Sequence, residues 1–298
     1  MATGQAPDMG APGLIFCIGA AKSGTSWLHD TLAGHDEVHL RRVKELHYFD
    51  TLEPGFGRWQ YKQLAREAGE MRARLAAGRG NPAHLAPKLA DLEAWLATFD
   101  GETPDDAAYL AYLDAGRAPD ARLVGDFTPA YGLLSTATFR RMAALADTVR
   151  FVFLMRDPVE RVWSNIRMNA RRAGPGRESE VLTRELDGFL ARDNAKVQAR
   201  ADYKGTLTRL FAAVPRRMVH LEFYERLFSA EAMERLARFL GIGPIRAAFG
   251  RKVHAGRPVE MPAGTRAALA GELQAQYTYV SDLMGGLPDQ WTDRMVRV

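Results

Sequence analysis

Apolar positions along the chain fall into two kinds of run. The segments 149–155 (VRFVFLM) and 218–223 (MVHLEF) read as strands, and the short stretch at 14–19 (LIFCIG) is continuously apolar, with β-branched and aromatic members. That is the pattern of strands covered on both faces, as in a parallel sheet. The segment 122–131 (RLVGDFTPAY) reads as a further strand running into a turn at Pro129. Elsewhere apolar residues recur at steps of three and four: Tyr61, Leu64, Ala68, Met71 and Leu75 over 58–77; Leu85, Leu89, Leu92, Trp95 and Leu96; and Val159, Val162, Trp163 and Ile166. These spacings predict amphipathic helices, and residues 23–34, 229–240 and 263–285 also read as helical. Strands alternating with helices predict an α/β fold: a single domain with a central parallel sheet flanked by helices. Residues 1–12, small and rich in glycine and proline, read as a disordered tail, which leaves 13–298 as the folded domain. The stretch 171–180 (RRAGPGRESE) reads as a mobile internal loop.

Composition narrows the function classes without choosing one. In 298 residues, 47% are hydrophobic and 26% charged, with a net charge of +4, ordinary for a globular protein and too mild to argue for nucleic acid. The single cysteine, Cys17, excludes an internal disulfide and fits a reducing compartment. No apolar run approaches the roughly 18–20 residues of a membrane span. The N-terminus has neither a basic start nor an apolar core, so no signal peptide is expected and a cytoplasmic location is. The histidines His29, His35, His39, His84 and His220 have no ligand-like spacing with cysteines or carboxylates, so no metal is expected.

The first strand runs into IGAAKSGTSW, residues 18–27. Strand, glycine turn and helix together aim backbone N–H groups and a helix N-terminus at an anion. An ATP or GTP loop follows its second glycine with lysine and a hydroxyl residue. Here Gly19 and Gly24 keep the glycine spacing, Thr25 stands in the lysine position, and the lysine has moved back to Lys22. A γ-phosphate would lose its usual partner, whereas a nucleotide with one modified 5′-phosphate would not. The competing reading is a plain strand-to-helix turn.

The segment KSGTSWL resembles the 5′-phosphosulfate loop of the sulfotransferases that use 3′-phosphoadenosine 5′-phosphosulfate (PAPS), P-loop-NTPase-like α/β proteins that transfer a sulfuryl group without an essential metal. The resemblance implies that Lys22 binds the bridging and 5′-phosphate oxygens, with Ser23, Gly24, Thr25, Ser26 and Trp27 completing the donor loop. A second segment, FVFLMRDPVERVWSNIRMNAR (151–171), resembles the family's 3′-phosphate motif, a strand ending in Arg-Asp-Pro with a serine eight residues on. Here these are Arg156 and Ser164. A guanidinium at a strand end can fork onto a phosphate, and Ser164 lies nearly opposite the apolar face of its helix. A solvated serine and a structural pairing of Arg156 with Asp157 is the alternative.

KELHYFD (44–50) resembles the glutamate-containing segment of heparan-sulfate-type and related carbohydrate sulfotransferases. By that comparison Glu45 is the general base and His47 positions acceptor or base. A hydroxyl becomes a good nucleophile only as its proton leaves, although lysines at 22 and 44 should depress a glutamate here. GRWQY (57–61) resembles the short stretch that follows in the same branch. GDFTPAY (125–131) resembles its E-K-[ST]-P-x-Y segment, with Asp126 for the glutamate and Phe127 where many relatives carry lysine, which weakens the case for a heparan-like substrate. Gly256 and Arg257 fall where the family closes a loop over the 3′-phosphate, a loose match. The implied reaction is transfer of a sulfuryl group to a hydroxyl or amine of an acceptor, a carbohydrate or small molecule rather than a protein, leaving 3′-phosphoadenosine 5′-phosphate. An ATP- or GTP-dependent kinase with an atypical loop and a non-catalytic nucleotide- or polyanion-binding protein are the rival readings. The acceptor and the oligomeric state are not legible.

Overall fold

Alternation along the strands sorts side chains onto two faces, and the core follows from that. In a computed structural model, which describes residues 10–250 and 260–292, Leu14, Phe16 and Ile18 of the first strand enter one buried cluster. Ile15 and Cys17 enter the other. The fourth strand divides in the same way, with Phe151, Phe153 and Met155 on one side and Val152 and Leu154 on the opposite side. Burial on both faces is why these runs show no polar alternation. It also raises the Cys17 thiol to about 12, leaving it protonated.

The strands are β1 (Gly13–Gly19), β2 (Val38–Leu40), β3 (Leu123–Asp126), β4 (Val149–Met155) and β5 (Val219–Phe223). They form one sheet in the order β2-β3-β1-β4-β5, and every pairing is parallel. β2 was not predicted, because three residues are too few to carry a period.

The helices are α1 (Thr25–Leu32), α2 (Tyr48–Leu52), α3 (Trp59–Ala76), α4 (Pro82–Thr98), α5 (Asp106–Asp114), α6 (Thr136–Ala143), α7 (Pro158–Arg172), α8 (Glu178–Leu190), α9 (Ala195–Ala201), α10 (Tyr203–Ala213), α11 (Tyr224–Leu227), α12 (Ala230–Leu240), α13 (Ala263–Met284) and α14 (Asp289–Thr292). Residues of α1 and α12 cover one sheet face, and residues of α3 to α7, α10 and α13 cover the other. The predicted helix at 23–34 starts later, at Thr25, because Gly24 sits at φ 90°, outside the helical region. The expected loop at 171–180 is also shorter: α7 runs through Arg172 and α8 begins at Glu178, leaving only 173–177 as a turn. Among the described residues no helix is long and apolar enough to cross a membrane.

Topology decides where a ligand can bind. β1 is flanked by β3 on one side and β4 on the other, so the chain reverses its direction of travel across the sheet there. In open α/β sheets such a reversal opens a crevice at the carboxyl ends of the strands.

Candidate functional site

Each of the five strands delivers chemistry-bearing residues at its carboxyl end. β1 leads into the loop 20–24, β2 into 41–47, β3 ends on Asp126, β4 is followed by Arg156 and Asp157, and β5 by Tyr224. The loop after β1 needs its glycine. A Cβ on Gly24 would stand 2.9 Å from Leu227 and 3.1 Å from Tyr224, at a positive φ that other residues rarely adopt. Lys22 is itself left-handed, at φ 72°. No side chain caps α1, so its first-turn N–H groups are left for a ligand, a ready anion site. Ser23 and Thr25 are buried in this turn, while Lys22 and Ser26 are half-buried.

Lys22 lies in a strongly positive field. Its Nζ is 3.8 Å from Met168 Sδ, and burial, followed by the guanidiniums of Arg171, Arg156 and Arg172, lowers its pKa against the opposing pull of Glu45. Arg156 donates from Nη1 to the Lys22 carbonyl at 3.4 Å, reaches Glu160 at 3.7 Å and lies 4.9 Å above the Tyr224 ring. Its neighbour Asp157 is not its partner. Fully buried, Asp157 accepts from the Glu160 N–H at 2.9 Å to cap α7 and from the Tyr277 hydroxyl at 3.2 Å. The guanidinium and carboxylate of the Arg-Asp-Pro motif thus do separate jobs. Ser164 is half-buried on α7, two turns beyond Arg156, on the side away from the core residues, as its spacing predicts.

Glu45 and His47 both hold left-handed backbone angles, φ 68° and 56°. The Glu45 side chain is 43% exposed and its Oε1 accepts from Lys44 Nζ at 2.6 Å. Burial raises its pKa, but the Lys44 charge and hydrogen bond, then His47 and Arg200, bring it below the ordinary carboxylate range. His47 is 6% exposed, with Nδ1 2.8 Å from Asp50 and Nε2 3.8 Å from Glu45. Burial lowers its pKa, but the Asp50 hydrogen bond and charge, with Glu45 and Asp126, raise it overall. His47 thus stands between two carboxylates, and of the three side chains only that of Glu45 is exposed.

The GDFTPAY segment lies beneath this pair. Asp126 is buried and accepts three hydroxyls: Tyr131 at 2.7 Å, Thr128 at 2.7 Å and Tyr109 at 2.9 Å. The Tyr131 oxygen also accepts the Tyr48 N–H at 3.0 Å, which ties the segment of Glu45 to the end of β3. Phe127 is buried edge-on to His29, at 5.3 Å between ring centres, away from that network.

Trp27 is 4% exposed and packs edge-on against Phe228 at 4.8 Å and nearly parallel to Phe249 at 6.3 Å. Gly256 and Arg257 lie outside the described residues. The structure therefore brings together Lys22, Ser23, Gly24, Thr25, Ser26, Arg156, Glu45 and His47, with Ser164 and Trp27 on the adjoining elements. Trp59, within the GRWQY stretch, is 61% exposed. Sequence reasoning missed Asp50, Arg200, Tyr224 and Phe228. Asp50 has a signal in the spacing H-x-x-D, and the two aromatics in the cluster EFYERLF that closes β5. Arg200 has none: α9 reaches the cleft only by tertiary packing.

A parallel sheet whose first strand runs through a glycine loop into a helix defines a P-loop-like α/β protein. The chain belongs to the sulfotransferase family, whose model matches residues 12–243. Among solved structures, a sulfotransferase from Alicyclobacillus acidocaldarius superposes with a TM-score of 0.64 at 20% identity, over 94% of this chain and 98% of that one. The sulfotransferase domain of the Synechococcus PCC 7002 olefin synthase gives 0.52 at 18% identity, over 95% of this chain and 99% of that one. No curated protein matches the sequence. Sulfuryl transfer in general is the activity that the family supports.

Proposed function

We propose that this protein transfers the sulfuryl group of PAPS to a hydroxyl or amine, with Lys22 and Arg156 holding the donor and Glu45 accepting the proton. The observation that carries this reading is the meeting of Lys22 and Arg156, from the ends of β1 and β4, in the crevice that also holds Glu45. The residues present suit a donor with phosphates at two positions. The open turn of α1, Lys22, Ser23, Gly24, Thr25 and Ser26 suit one anionic group, and Arg156, with Ser164 two turns on, suits a second beside it. Trp27 and Phe228 offer apolar surface for a base. The donor supplies the sulfuryl group. Everything else is asked of the chain: alignment, charge stabilisation at Lys22 and proton removal at Glu45.

Glu45 rather than His47 is the base, because a base must touch the acceptor. Glu45 opens to the cleft, whereas His47 is shut in behind it between Glu45 and Asp50. His47 and Asp50 are then positioning residues that hold the Glu45 carboxylate ionised. The test is chromatographic detection of 3′-phosphoadenosine 5′-phosphate released from PAPS over a panel of alcohols and amines. Acceptor-dependent release that continues in excess chelator supports the reading, and magnesium-dependent formation of ADP from ATP with no bisphosphate formed from PAPS contradicts it.

A further inference from the structure

Beside Glu45 the cleft wall carries more positive charge than the donor would use. α9 packs against α7 and against the turn 129–133, and near its end it carries Arg200. The Arg200 side chain is half-buried and makes no hydrogen bond or ion pair with any described residue. It lies in the fields of Glu45, Asp50 and Arg172. Both of those carboxylates are already engaged: Glu45 with Lys44 at 2.6 Å, and Asp50 with His47 at 2.8 Å.

Behind Arg200, on α7, Arg161 is fully buried. Its Nη2 makes one long hydrogen bond, 3.5 Å, to the Val197 carbonyl of α9, and its Nε and Nη1 have no hydrogen-bond partner. Two guanidiniums thus stand at the α7–α9 junction with no carboxylate left for either, and Arg171 and Arg172 at the exposed end of α7 add to the surplus. Burying unpaired charge is costly. An arrangement kept at that cost next to the candidate base points to an anion brought in by a ligand.

Resting on the transferase reading above, we propose that the acceptor carries an anionic oxygen group, a carboxylate, sulfate or phosphate, close to its reacting hydroxyl, and that Arg200 holds it while Glu45 faces the hydroxyl. The planar guanidinium suits all three groups, since each offers two oxygens to its fork. The donor anions are met elsewhere, at Lys22 and Arg156. Arg200 is therefore a specificity-determining residue for the acceptor, and its removal should leave donor binding intact.

The experiment is saturation-transfer NMR on the full chain saturated with 3′-phosphoadenosine 5′-phosphate. The probes are matched pairs: glucuronate, 3-hydroxybutyrate and 4-hydroxybenzoate, each against its methyl ester. The acids should bind about 10-fold or more tightly than the esters, the range expected for a charge-assisted bond. Arg200→Gln should abolish that preference and Arg200→Lys should keep part of it, neither changing affinity for the bisphosphate. Unlike a structural arginine, Arg200 should be replaceable without cost to the free protein, so Tm in Arg200→Gln should stay level or rise. Equal binding of acids and esters, no binding of the acids, or a preference that survives Arg200→Gln overturns this inference alone. Failure of the bisphosphate itself to bind overturns the transferase reading and this inference with it.

Discussion

The Tyr131 hydroxyl gives its proton to buried Asp126 at 2.7 Å and accepts the backbone N–H of Tyr48 at 3.0 Å. One oxygen thereby joins the end of β3 to the segment that carries Glu45 and His47. Tyr131→Phe should leave the Tyr48 N–H unpaired and take one of three donors from Asp126, at about 1–3 kcal/mol. Differential scanning calorimetry should show Tm lower by several degrees. Turnover should fall while donor affinity stays within twofold, because the altered contact lies under the base and away from Lys22.

Glu45→Gln keeps the shape and removes the base. Turnover should drop by about 10²- to 10⁴-fold, the usual contribution of a positioned proton acceptor. Affinity for 3′-phosphoadenosine 5′-phosphate, read by calorimetry, should be unchanged. Activity within threefold of the parent would remove Glu45 from the mechanism.

The two donor-facing cations should separate kinetically. Lys22→Ala should cost about 10²-fold or more in kcat, because its charge is needed most as negative charge develops on the leaving oxygen. Arg156→Ala should act mainly on donor KM, by about 10- to 100-fold, as a lost guanidinium–phosphate pair would. Small and equal effects from both variants would count against the proposed donor geometry.

The pH dependence has a definite sign at each group. Glu45 titrates below its ordinary value because of Lys44 and His47, so the acid limb of kcat/KM should fall below about 4.3. Lys44→Ala should move that limb upward. His47 has a raised pKa in the folded protein. Its contribution to stability is full below the ordinary histidine value of about 6.5 and is lost as pH rises through the folded value. Urea unfolding of the parent and His47→Asn should therefore differ more at pH 5.5 than at pH 8.5.

Much of the fold was legible because β1 and β4 are buried on both faces, and such strands show as largely apolar runs. β2, three residues long, and α8 to α10 were not read from the sequence. In the site, Lys22 stood out through its offset from Gly19 and Gly24, whereas Arg156 and Ser164 came through resemblance. Glu45 and His47 came through resemblance alone. Asp126 is buried under three hydroxyls, a role its side-chain chemistry does not announce. Arg200 was illegible because only the packing of α9 brings it to the cleft.

The most direct test of the donor site is thermal unfolding with 3′-phosphoadenosine 5′-phosphate, compared with AMP and with ATP plus magnesium. At about 100 times its Kd, a ligand should add roughly 2.7 kcal/mol, a shift of several degrees. A shift that requires the 3′-phosphate and vanishes in Arg156→Ala is the predicted result. A shift with ATP and magnesium alone would contradict it.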